Sequence, residues 1–272
     1  MSSLPSTIFA VATRSHNATG YWGSSEDVTH TFCEPHYATT FYVAEFYNSL
    51  SSLVYVVTGW YVLRTIGQKD RFVWTGAVWL MVIGIGSALF HGIMWYWMQL
   101  LDEIPMVGFE ATIMLAKVEN PALQRGTRTL LLLLLRVLVW TLCVGTALVY
   151  TITQQYEIFI HGFTAIVVLD IGLVFWTRST GAVCPRHGAL HLRAFLTGVG
   201  TIVVGKTLWE VENRLCETHR DVVWPLHVVW HFFSATAAYS SLVATYLLGL
   251  TENEESKKNM VLFSQEERPK AD

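Results

Sequence analysis

Two short stretches of this chain carry side chains that could do chemistry. One is Ser87-Ala88-Leu89-Phe90-His91, with Asp102 shortly behind it; the other is His227-Val228-Val229-Trp230-His231. In the second, the i, i+4 spacing sends both imidazoles off one face of a helix, a familiar half-site for zinc. His91 is the candidate third nitrogen. A fourth position is then left for water, the arrangement that separates catalytic from structural zinc. Ser87 lies four residues before His91 on the same face, where its hydroxyl could hold a substrate oxygen or a developing oxyanion. Asp102 is expected to take a proton from the water and return it to a leaving amine. Taken singly, each residue has a blander reading: an interfacial histidine pair, a serine bonded to its own helix carbonyl, an acid at a helix start. The case rests on their meeting at one depth. His161 is a competing imidazole, but its lone position beside Gly162 favours packing. His16, His30, His36, His187, His191 and His219 fall in arms, loops or helix margins and read as solvated.

The elements that position these groups read as membrane helices. The 272 residues are 52% hydrophobic and only 14% charged, where soluble domains carry about 25% charged residues. Seven apolar segments are long enough to cross a hydrocarbon core, near 44–63, 72–92, 96–117, 130–151, 157–176, 192–209 and 225–249. The expected architecture is an all-α membrane protein, a seven-transmembrane helix bundle. It divides into an N-terminal arm (1–43), a catalytic bundle (44–249) and a tail (250–272) read as disordered. Eleven Trp and eleven Tyr suit the aromatic belts at bilayer interfaces. A net charge of −3 without a basic tract speaks against nucleic-acid binding. The four cysteines lack CxxC or zinc-finger spacing, so no thiolate metal site is expected.

The short loops set the orientation. Lysine and arginine collect in loops one (Arg64, Lys69, Arg71), three (Lys117, Arg125, Arg128) and five (Arg178, Arg186, Arg193), and in the tail. By the positive-inside rule the N-terminus is lumenal or extracellular and the C-terminus cytosolic. Asn17-Ala18-Thr19, a glycosylation sequon, then falls on the outer side. His91, Asp102, His227 and His231 all come to the outer membrane level, although more than a hundred residues separate the two stretches.

Longer motifs carry a resemblance. Gly20-Tyr21-Trp22-Gly23, Cys33-Glu34, Ala44-Glu45-Phe46-Tyr47-Asn48, the SxxxFH from Ser87 to His91, the QLLDE-x-P from Gln99 to Pro105, Trp209 with Glu212 and Cys216, and the HxxWH from His227 to His231 occur in order. Together they resemble the alkaline ceramidases. The resemblance implies a seven-helix intramembrane zinc amidase that cleaves ceramide to a sphingoid base and a fatty acid. Its zinc ligands would be His91, His227 and His231, with Ser87 and Asp102 as the catalytic pair. It further implies an endoplasmic reticulum or Golgi membrane and a Cys33–Cys216 disulfide on the oxidising side. A calcium beside the zinc is also implied, at the positions of Thr31, Phe32, Glu34, His36 and Glu45. Here the chain departs from the family, with Thr31 replacing an acid and His36 an amide. Calcium prefers several oxygen ligands, so a lost carboxylate should weaken this site, with Glu26 or Asp27 as upstream substitutes.

Two other functions share features of this layout. Seven-transmembrane receptors of the adiponectin and progestin type have the same SxxxH, Asp and HxxxH arrangement, with the N-terminus expected in the cytosol. A zinc transporter would need ligands at several depths rather than one.

Overall fold

A computed structural model describes residues 18–23 and 28–250, and every regular element of length in it is helical. The nine α-helices are α1 (Phe46–Ser51), α2 (Leu53–Thr65), α3 (Arg71–Ile93), α4 (Tyr96–Val118), α5 (Pro121–Gly126), α6 (Thr129–Thr153), α7 (Tyr156–Ser179), α8 (Gly188–Val223) and α9 (Pro225–Gly249). Among the described residues, five stretches are long and apolar enough to cross a membrane: α3, α6, α7, α8 with the turn before it, and α9. The chain is an integral membrane protein. Leu130, Leu131, Leu133, Leu134, Val137 and Leu138 of α6 face outwards, which is acceptable against lipid and costly against water. The two expected segments that fall short are those with the most polar groups. One is divided into α1 and α2 around Ser52; the other, α4, carries Gln99, Asp102, Glu103, Glu110 and Lys117.

The sixth expected segment, 192–209, is much shorter than the helix it belongs to. α8 runs for 36 residues with one kink, at His219. It continues through the polar stretch after Trp209, where Glu210 pairs with Lys206 at 3.1 Å and Arg214 at 3.5 Å, each one helical turn away. Such i, i+4 pairs support a helix where the apolar pattern has stopped. α9 begins at once, with Pro225 in its first turn, and the two helices pack side by side.

α9 touches α1, α2, α3, α4 and α8, so its inner face is the meeting point of the bundle. α3 and α4 approach each other closely. A Cβ on Gly86 would lie only 2.1 Å from the Leu101 carbonyl oxygen, so this position admits no larger residue. Pro105, inside α4, has no N–H for that same carbonyl, its partner four residues earlier. The freed carbonyl therefore turns towards a glycine, and the next residues on the two helices, Ser87 and Asp102, are brought face to face.

Candidate functional site

The three histidines named from the sequence converge. Among the described residues, His91, His227 and His231 form the one cluster of three metal-capable side chains whose ligand atoms lie within 4.8 Å of one another, all buried. His91 comes from the last turn of α3; His227 and His231 come from the first two turns of α9. Their rings stand 4.6–5.3 Å apart, centre to centre.

Two of the rings are held from behind through Nδ1, and the third faces a carboxylate. Glu45 Oε2 lies 2.6 Å from His91 Nδ1. Ser51 Oγ lies 2.7 Å from His231 Nδ1 and donates its own proton to the Asn48 carbonyl. Glu212 Oε2 faces His227 Nδ1 at 3.6 Å, too long for a hydrogen bond, and neither buried atom has a hydrogen-bond partner. A carboxylate can only accept, and a hydroxyl that already donates must accept as well. The Nδ1 atoms of His91 and His231 are therefore the protonated nitrogens, and their Nε2 atoms keep the lone pair. A metal-binding histidine is usually oriented in this way by an outer carboxylate or hydroxyl. The donor set and its supports fit zinc.

The Ser87 hydroxyl is buried, 3.0 Å from Ser52 Oγ, and the Asp102 carboxyl lies near both it and His91. All five sequence-named residues thus share one pocket at the end of the bundle where α3, α4 and α9 meet α1. Ser51 and Glu212 as imidazole supports were not foreseen. Ser51 is one of several serines in an apolar run, and its partner lies 180 residues away.

The arm closes this end. Cys33 and Cys216 form the expected disulfide, joining the arm to α8. The backbone N–H of Cys33 donates to Glu212 Oε1 at 3.0 Å, so the residue facing His227 is itself fixed by the arm. The Phe32 ring lies 3.8 Å from the His227 ring, centre to centre. Farther along the same rim, the Thr29 N–H and hydroxyl bond to Gln99, and Gln99 and the Tyr150 hydroxyl both donate to Glu103. These contacts pin the arm to α4 and α6 beside Asp102.

Four histidine readings need correction. His36 and His191 are fully buried rather than solvated. His30 stacks on Tyr156 with centroids 4.3 Å apart, and burial pulls its pKa down to about 4. His161 is not a packing residue: its side chain is 79% exposed and pairs only with Glu157, at 3.4 Å. Its neighbour Gly162 does the packing, against Thr146 of α6.

The five residues expected around calcium are present in one neighbourhood but engaged elsewhere. Glu34 accepts the N–H groups of Tyr47 and Asn48, each at 2.8 Å, and so caps α1. Burial and the nearby Glu45 carboxylate push its pKa up to about 8 against the pull of those two amides. Glu45 accepts from His36 at 3.1 Å, from His91 and from Asn48. Thr31 is exposed and Phe32 is buried against His227. Glu26 and Asp27 lie outside the described residues, as does the Asn17 sequon.

Comparison with known proteins agrees with the motifs. The ceramidase family model matches residues 24–270. The chain belongs to the ceramidase family. Alkaline ceramidase 3 of Mus musculus is 27% identical over 236 residues, covering 81% of this chain and 83% of its own. An alkaline ceramidase of Arabidopsis thaliana is 28% identical over 80% of this chain and 82% of its own length. One from Drosophila melanogaster is 27% identical over 78% and 74%. The family match spans the arm from residue 24 and the whole bundle, and therefore every residue of the pocket.

Proposed function

We propose that this ceramidase-family protein is an intramembrane zinc amidase that hydrolyses ceramide, dihydroceramide or phytoceramide to a sphingoid base and a free fatty acid. The observation that carries this reading is the meeting of three buried imidazoles beside Ser87 and Asp102. His91, His227 and His231 would hold the zinc, which supplies a Lewis acid for the amide carbonyl and makes water acidic enough to react near neutral pH.

The chain's own residues supply the rest. The Ser87 hydroxyl is the donor for the substrate oxygen, whose negative charge grows as water adds to the carbonyl carbon. Asp102 takes a proton from that water and delivers one to the amide nitrogen as the C–N bond breaks. Acid and amine leave with the atoms of one amide and one water. The acyl and sphingoid chains are expected to reach the pocket sideways from the bilayer, between apolar helices.

The topology follows the same reading. If α1–α2 and α4 span together with the five apolar stretches, the bundle has seven spans and its ends lie on opposite sides. A disulfide at the pocket end suits an oxidising compartment. The arm and the pocket are then lumenal, the C-terminus is cytosolic, and the membrane is that of the endoplasmic reticulum or Golgi. This orientation is opposite to the one expected for receptors of the adiponectin and progestin type.

Ser87→Ala tests the assignment of the oxygen donor. Removing one such donor costs about 10²–10³-fold in turnover. That loss is expected here with zinc content unchanged, when free fatty acid and sphingoid base are measured by mass spectrometry from a panel of ceramides. Full turnover by the variant would remove Ser87 from the reaction.

A further inference from the structure

We propose that in this chain an imidazole, His36, takes the place that calcium holds beside the zinc centre in its relatives, so that the centre is assembled without calcium. The proposal rests on the zinc reading only in treating His91 as the group that must be positioned.

The residues available do not make a calcium site. Calcium takes six to eight oxygen ligands at about 2.3–2.6 Å. Of the five positions, Thr31 has no carboxylate and is exposed, and Phe32 can offer only its backbone carbonyl. His36 offers nitrogen. Glu34 is occupied on both oxygens by the backbone of α1. The buried amide oxygen of Asn48 lacks a partner, but one neutral oxygen does not replace a lost carboxylate and a lost amide.

What the chain has instead is a direct bridge. Glu45 is fully buried, with Oε1 3.1 Å from His36 Nε2 and Oε2 2.6 Å from His91 Nδ1. His36 is itself fully buried in the arm, three residues from the disulfide cysteine. The arm therefore grips the carboxylate that orients His91 through an N–H donor. A cation between arm and helix would do the same work through oxygen ligands. A buried carboxylate needs such a partner, because an unpaired one is strongly penalised. The two departures from the family also belong together physically. Once the imidazole bonds Glu45, no acid at position 31 is needed to help hold a cation.

The test is calcium binding itself. Zinc-replete purified protein is titrated with calcium to about 1 mM, the range of the weakest natural modules, and followed by equilibrium dialysis with radioactive calcium and by thermal unfolding. The unsubstituted protein is expected to bind none stoichiometrically and to keep its Tm. The double variant Thr31→Asp/His36→Asn is expected to gain saturable calcium binding and a calcium-dependent rise in Tm. Saturable binding by the unsubstituted protein overturns the proposal, whichever residues supply the ligands. So does a folded double variant that ignores calcium, since His36 would then not be what stands in for the ion. Zinc is assayed on the same samples. A preparation without zinc would count against the metal-centre reading, while the calcium titration would still be read on its own terms.

Discussion

His231→Ala is expected to lose zinc and amide hydrolysis together. The substitution removes one of only three nitrogens in the cluster and leaves the Ser51 hydroxyl facing a cavity. A metal centre of this kind contributes several kcal/mol to the transition state. At 1.36 kcal/mol for each factor of ten, turnover should fall by about 10³-fold or more. Metal analysis and hydrolysis of a fluorescent ceramide on the same preparation check both halves of the expectation. Retained hydrolysis by a zinc-free, folded variant would contradict the assignment.

Asp102→Asn is expected to separate what His231→Ala loses jointly. Asp102 is not among the clustered nitrogens and lies beside Ser87, so zinc should stay at the unsubstituted level. An amide of nearly the same shape can still accept from the Ser87 hydroxyl, which preserves the packing of α3 on α4 at Gly86. It cannot carry a proton from water to the leaving amine. General acid–base groups typically contribute about 10²–10⁴-fold, and a loss of that size in kcat with zinc retained is the predicted signature. A variant that loses its zinc as well would show that Asp102 shapes the metal cluster rather than moving protons.

The heart of the site was legible because local spacing carries it. Ser87 and His91 are one turn apart, as are His227 and His231, and periodicity alone puts each pair on one face. Charge counting led to the expectation that both pairs lie at one membrane level. The supports behind the imidazoles were not legible in the same way. Ser51 meets His231 and Glu212 meets His227 only after α1, α8 and α9 have packed together, and no local pattern distinguishes those residues from their neighbours. Glu34 hid its role for a related reason. It caps α1 from more than ten residues upstream, across a loop, whereas a sequence reading looks for the cap immediately before the helix. His36 was read as solvated because it lies in a polar arm, and only the folded arm shows that it is enclosed with Glu45. The length of α8 was missed because ion pairs, rather than apolar residues, sustain its last turns.

The central claim is that one buried metal cluster turns over the ceramide amide. The most direct measurement takes zinc content and ceramide hydrolysis on one purified preparation through chelation and restoration with zinc. Stoichiometric zinc, hydrolysis lost on stripping and hydrolysis regained with zinc are the predicted results. A metal-free preparation that cleaves ceramide at the unstripped rate would contradict it.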